Sequence, residues 1–248
     1  MTDGRASAHV TRRGRCAMTF VTWPSLTACG WLLAGTLLRI TYLLMLARVY
    51  AAAAFSRVYP IARGTSPLLT AFFGTLVLGE PLTSSGLVAL LAVLMGVLLI
   101  ARPDHQPRPD SFALQSGMRL ACLITAYSLV DAKGVRASQE PLGYAAFAFV
   151  GESLGVAICM LVRDGPAAFS RAARAWRSGA PAGLFSLGSY GVALWAFRSA
   201  SPARVAAVRE TSVLFAMLIA TVGLREHFTR RDWLGASLIA FGAAAARL

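Results

Sequence analysis

Charge is scarce in this 248-residue chain. Only 14% of its residues are Asp, Glu, Lys or Arg, against about 25% in an ordinary soluble domain. Acidic residues are the rarer kind, 11 against 24 basic ones, and Lys133 is the sole lysine. Hydrophobic residues make up 56% and mean hydropathy is +0.61. A large soluble helical protein is excluded, because its helices would lack the polar face that water requires. Strand-like alternation of polar and apolar residues is missing too, which argues against a β-barrel. Cysteine is sparse and scattered: Cys16, Cys29, Cys122 and Cys159 form no metal or redox spacing, and Cys122 and Cys159 read as small packing residues inside helices. The three histidines, His9, His105 and His227, are isolated from one another. No cofactor, no metal and no enzymatic activity are therefore expected. The net charge of +13 would suggest nucleic acid in a soluble protein. Here it fits loop arginines beside anionic headgroups, so no nucleic-acid partner is expected.

What the chain does have is apolar runs. A membrane span needs roughly 20 mostly apolar residues, and eight segments approach this: Ala28–Ala47, Arg57–Leu78, Ser85–Ala101, Phe112–Val130, Gly143–Val162, Ala180–Phe197, Ala203–Leu224 and Asp232–Ala246. The expected fold is an all-α polytopic membrane protein, multi-pass in the plasma (inner) membrane. Residues Met1–Thr19 are polar and basic, and Leu26-Thr27-Ala28-Cys29 imitates a lipoprotein cleavage box. The residues after Cys29 continue as a membrane helix, so residues 1–24 are expected to remain as a basic tail.

The chain also repeats itself. Shifted by 146 residues, Arg63 falls on Arg209, Thr65 on Thr211, Ser66 on Ser212 and Leu68 on Leu214. Thr75 falls on Thr221, Leu78 on Leu224, Glu80 on Glu226 and Thr83 on Thr229. Eight identities in the 21 positions of Arg63–Thr83 exceed the roughly two expected by chance, and internal repeats are a transporter signature. Gly96 then lands on Gly242. Each copy reads as a helix ending at Glu80 or Glu226, a turn, and a helix capped by Thr83 or Thr229. Both Glu residues are expected to be structural, placed at the positive end of the next helix dipole. The second copy has two helices ahead of the repeated span that the first lacks. The unit is therefore five helices, and this chain shows three plus five. An odd count inverts one copy relative to the other, so the expected architecture is an inverted-repeat helical bundle.

Val58-Tyr59-Pro60-Ile61-Ala62-Arg63-Gly64, with Pro67-Leu68-Leu69 and Leu78-Gly79-Glu80, resembles the fourth helix of EamA-type proteins in the drug/metabolite transporter superfamily. Val208-Arg209-Glu210-Thr211-Ser212-Val213-Leu214-Phe215 resembles the ninth helix, and Ala126-Tyr127 with Asp131, Gly134, Val135 and Arg136 the end of the sixth. The resemblance covers roughly residues 29–247, and the departure is the lack of the first two helices. It implies residues 25–104 as an incomplete first EamA-type repeat and 105–248 as a complete second one. It further implies a secondary transporter, exporter or exchanger, of a small organic metabolite by alternating access. The competing expectation is a truncated, transport-incompetent membrane protein from a misplaced start or a decayed gene.

Ionisable residues inside a membrane are costly and so are functional candidates by default. Arg63 and Arg209 occupy equal depths in the two copies, placed to attract an anionic solute or to form gate ion pairs. Glu210 need not pair with its neighbour Arg209, since adjacent helical residues diverge by about 100°. Glu152 lies mid-helix. Tyr127 and Asp131 share a helical face, and Asp131 is expected to pair with Lys133 or Arg136 at the interface. Tyr59 and Tyr190 are cavity candidates. These eight residues form the expected substrate site. Arg119 sits within a helix and is hard to hide. Pro60 and Pro67 should bend their helix and leave carbonyls free, while Gly183, Gly188, Gly191, Gly235 and Gly242 should support close helix packing. The expected partners are a small-molecule solute and membrane lipid, with a homodimer as a compatible assembly. Eight spans put both termini on one side. Without the tail, ten basic residues face four, which favours cytoplasmic placement of the Arg163–Arg177 loop; the resemblance implies the opposite orientation.

Overall fold

The structure, a computed structural model, describes residues 25–51, 55–79, 83–101, 111–138, 140–212, 215, 218 and 229–245. Among the described residues nine helices can be bounded and no strand occurs; Ser212, Phe215 and Leu218 are helical as well. The nine are α1 (Leu26–Ala51), α2 (Phe55–Leu78), α3 (Ser84–Ala101), α4 (Ser111–Ser138), α5 (Pro141–Asp164), α6 (Ala167–Arg174), α7 (Trp176–Ala196), α8 (Pro202–Arg209) and α9 (Arg230–Ala245).

Local chemistry starts and stops these helices. Free N–H groups at a helix start need an acceptor. Ser25 Oγ accepts from Ala28 N at 3.3 Å, Thr83 Oγ1 from Gly86 N at 3.1 Å and Ser201 Oγ from Arg204 N at 3.3 Å. At α9, Thr229 and Asp232 cap each other: Asp232 Oδ2 accepts from Thr229 N at 2.8 Å and Thr229 Oγ1 from Asp232 N at 3.4 Å. The caps expected at Thr83 and Thr229 are thus present, whereas Glu80 and Glu226 lie outside the described residues. Pro141 and Pro202 open α5 and α8, where a missing N–H does no harm. Gly165, with φ +67°, ends α5 in the left-handed region that glycine tolerates.

Among the described residues, three helical stretches are long and apolar enough to cross a membrane: Leu26–Val49, Ile61–Leu78 and Pro141–Asp164. Ser84–Leu99 is a shorter apolar stretch. Leu33, Leu37, Phe72, Leu76, Val150, Leu154 and Ile158 all lie exposed, an arrangement suited to hydrocarbon rather than water.

Four expectations need correction. First, α4 runs eight residues past Val130, to Ser138, because Asp131 finds buried partners and the helix need not stop at the charge. Second, the Arg163–Arg177 loop contains a helix, α6, whose Arg171 and Arg174 lie beside one buried residue, Ala168. Third, the span expected over Ala203–Leu224 is interrupted: α8 ends at Arg209, and beyond a two-residue turn Ser212, Phe215 and Leu218 are helical again. Glu210 and Thr211 form a turn, in which Thr211 N donates to Val208 O at 3.1 Å, an i to i−3 bond of the tighter kind found at hinges. The Thr211 hydroxyl takes the same carbonyl at 2.7 Å. Fourth, a methyl group at Gly183, Gly188 or Gly191 would meet nothing within 4 Å, so these glycines do not mediate packing.

Gly96 and Gly242 do mediate it. A Cβ on Gly96 would strike Gly235 O and Ile239, and one on Gly242 would strike Ala89 O and Val93. Ala89 and Val93 shifted by 146 are Gly235 and Ile239, and Gly96 shifted is Gly242. Each contact is therefore the other's image. Helices α3 and α9 meet antiparallel across a local two-fold, the self-complementary kind of contact, which is what an inverted repeat requires. The central element is α4, packed along α1 and α2. Leu120, Ile124, Tyr127 and Val135 of α4 join Val58, Tyr144, Tyr190, Leu194 and Phe197 in the main apolar core.

Candidate functional site

The core is not purely apolar. Asp131 is fully buried and is ringed by three donors from three helices. Arg39 Nη1 of α1 reaches its Oδ2 at 2.9 Å. Tyr190 of α7 donates to the same oxygen at 2.6 Å, and Tyr144 of α5 donates to Oδ1 at 3.1 Å. This corrects the expected pairing of Asp131 with Lys133 or Arg136. Lys133 lies over the Trp31 ring at 5.3 Å. Arg136 donates to the carbonyls of Phe197 at 3.1 Å and Ala200 at 3.3 Å, tying the α7–α8 turn to α4. The physical reason is burial: Asp131 faces the core, whereas Lys133 and Arg136 leave the helix in other directions.

Arg39 is the residue that pattern reading missed. It is 4% exposed and holds a second carboxylate, Glu152 of α5, through Nε at 3.1 Å. Its guanidinium also sits 5.4 Å from the centre of the Tyr190 ring. The available signal was a lone arginine near the middle of an otherwise apolar run. Gly35 makes the arrangement possible: a Cβ there would collide with the Asp131 carboxylate. Likewise a Cβ on Gly134 would collide with the Tyr144 ring.

A second ion pair lies in the same core. Arg63 Nη2 of α2 meets Glu210 Oε1 at 3.2 Å. Glu210 is 2% exposed, and its Oε2 is buried without a hydrogen bond among the described residues. Arg209, next to it, instead lies over the Tyr190 ring at 5.3 Å. Tyr127 packs edge-on to Tyr190 at 6.0 Å and to Tyr42 at 5.7 Å. Of the eight expected site residues, Arg63, Arg209, Glu210, Tyr127, Asp131, Glu152 and Tyr190 converge on one region. The Tyr59 and Pro60 side chains lie outside the described part.

Pro67 is fully buried inside a continuous α2. Having no N–H, it frees the carbonyl four residues earlier, at Arg63. Ser66 Oγ donates to that carbonyl at 3.4 Å, so it is not left open to a ligand as expected. Thr70 and Thr125 add a small hydroxyl cluster there, bonded to Ser66 O at 2.8 and 3.3 Å. Arg119 and Cys122 are exposed on the outer face of α4. No His, Cys, Asp or Glu cluster able to hold a metal occurs among the described residues.

Every buried ion pair just described runs between α1 or α2 on one side and α4, α5 or the end of α8 on the other. The sequence profile of the EamA-like transporter family matches residues 116–247, more than half of the chain. The chain belongs to the EamA-like transporter family. It is accordingly a membrane transporter of the drug/metabolite superfamily, in a family whose members are transporters rather than enzymes. The match spans the carboxylates Asp131, Glu152 and Glu210 of this EamA-like chain, together with Tyr127, Tyr144, Tyr190 and Arg209. Arg39 and Arg63 precede it. A comparison with curated proteins finds no match.

Proposed function

We propose that this chain is a secondary transporter, an exporter or exchanger of a small organic metabolite, that spans the plasma (inner) membrane eight times. It works by alternating access between residues 25–104 and residues 105–248. The observation that carries this reading is the set of buried ion pairs between the two parts: Arg39 with Asp131 and Glu152, and Arg63 with Glu210. The first part contributes the cations and the second the carboxylates. Charges at such depth are expensive unless paired, so they hold the two parts together in this state. Relative movement of the parts must exchange these partners, and a polar solute supplies replacement partners. Glu210 Oε2, buried and without a hydrogen bond among the described residues, is the acceptor best placed to meet a solute donor. Arg209 is the cation placed to meet a solute anion. Glu80, Glu226, Pro60 and Pro67 keep structural roles in this reading.

The test is solute flux in proteoliposomes against a panel of labelled metabolites. Glu210→Gln and Arg209→Gln should each lower flux at least tenfold while the thermal melt in detergent stays close to that of the parent chain. Parent-like flux in both variants removes these residues from the mechanism, and no flux of any solute by the parent chain refutes the transport reading.

A further inference from the structure

Tyr190 of α7 stands at the junction of the charged groups. Its ring meets two guanidinium groups, Arg39 of α1 at 5.4 Å from the ring centre and Arg209 at the end of α8 at 5.3 Å. Its hydroxyl donates to Asp131 Oδ2 at 2.6 Å, the same oxygen that Arg39 Nη1 reaches at 2.9 Å. Tyr190 is buried, and Phe149 and Tyr127 pack edge-on to its ring at 6.1 and 6.0 Å, so the ring is held in place. One side chain of α7 therefore contacts charged residues of α1, α4 and α8.

The internal repeat shows that this seat belongs to the second copy alone. Shifted back by 146, Arg209 becomes Arg63 and Tyr190 becomes Leu44. Arg63 has no tyrosine at that position and is held by a carboxylate instead, Glu210 at 3.2 Å. The first-copy image of Glu210 is Gly64, so the repeat supplies no reciprocal carboxylate for Arg209. No ion pair joins Arg209 to a carboxylate among the described residues. The two arginines are thus held by different forces. A buried ion pair is broken at high cost, whereas a cation on an aromatic face is held by the weaker pull of the ring quadrupole. Arg209 is the one of the two that an anion can engage without first displacing a carboxylate.

The same contact carries information. A cation over the ring draws electron density from the phenol and polarises its O–H, which strengthens the bond to Asp131. An anion that pairs with Arg209 offsets that charge at short range, and the bond to Asp131 weakens. By linkage, loosening the bond favours the anion to the same degree.

We propose that Tyr190 is the positioning residue that couples Arg209 to the buried Arg39–Asp131 pair. Its ring presents Arg209 to an incoming anion, and its hydroxyl passes the change in charge to Asp131. The proposal rests on the reading of Arg209 as the cation that meets the solute, and adds the route by which that event reaches the contact between the two parts of the chain.

Two measurements on the full chain test it, and the first needs no solute. Thermal melts in detergent are compared for the parent chain, Tyr190→Phe, Arg209→Gln and the double variant, a cycle that isolates how far one side chain depends on another. Tyr190→Phe keeps the ring and deletes the bond to Asp131, so it should lower the midpoint. In the Arg209→Gln background the same change should lower it by about half as much or less. Equal losses in the two backgrounds overturn the proposal. The second measurement is proteoliposome flux of the labelled metabolite that the parent chain moves fastest. Tyr190→Phe should lower the maximal rate about tenfold while KM stays within about twofold of the parent, because Arg209 still rests on a ring. Tyr190→Leu, which removes the ring, should raise KM as well. A parent-like rate per folded molecule in Tyr190→Phe overturns the proposal, and so does a KM raised equally in both variants. If the parent chain moves no solute, the transport reading fails, and the melting cycle alone decides whether Tyr190 joins Arg209 to Asp131.

Discussion

At the scale of single residues, the decisive side chain is Asp131. Removing one member of a buried ion pair leaves the other charged and unmatched, which typically costs about 3–5 kcal/mol. Asp131 has no exposed surface and serves Arg39, Tyr144 and Tyr190 at once. Asp131→Asn and Arg39→Leu should therefore each lower the thermal midpoint in detergent markedly, by about 3 kcal/mol or more of stability. Replacing the pair together, Arg39→Met with Asp131→Leu, should recover much of that loss. Additive effects in the double variant would show that the two residues do not depend on each other. The sequence made Asp131 a candidate because a carboxylate in an apolar helix is rare. It did not identify the partner: nearby Lys133 and Arg136 looked adequate, and the real partner lies 92 residues away. Spacing along one helix tells which residues share a face, and says nothing about which other helix that face meets.

At the scale of elements, helix existence was easier to read than helix ends or helix contacts. Long apolar runs marked α1, α2, α3 and α5 closely, since hydrocarbon demands internal backbone bonding over the whole span. The ends moved where tertiary contacts intervened: α4 extends to Ser138 once Asp131 is neutralised, and α8 stops at Arg209. Glycines show the same limit. Gly35 and Gly183 both sit in apolar helices, yet only Gly35 lies against a neighbour. Gly35→Ala should push the Asp131 carboxylate out of place and lower the thermal midpoint by several degrees. Gly183→Ala should leave the midpoint unchanged or raise it slightly, because alanine favours helix more than glycine. Equal effects of the two would contradict the packing between α1 and α4.

At the scale of the whole molecule, the 146-residue offset has a direct physical counterpart in the α3–α9 contact. In a chain with Cys16, Cys29, Cys122 and Cys159 replaced by Ser, the pair Gly96→Cys with Ile239→Cys should crosslink on mild oxidation. So should its image, Val93→Cys with Gly242→Cys, and to a similar extent. Crosslinking of one pair alone would break the reciprocity that an inverted repeat entails. Composition and patterning made it legible that the protein is helical and membranous, that its halves repeat, and that Arg63, Asp131, Glu152, Arg209 and Glu210 are rare charges in apolar segments, while leaving Arg39 unnoticed. Those properties follow from composition and periodicity, which each segment carries within itself. That Arg39 serves Asp131 and Glu152, and Arg63 serves Glu210, emerged from helix packing alone. Pairing is a property of distance between segments, and a chain of apolar helices of similar composition leaves that distance undetermined until they pack.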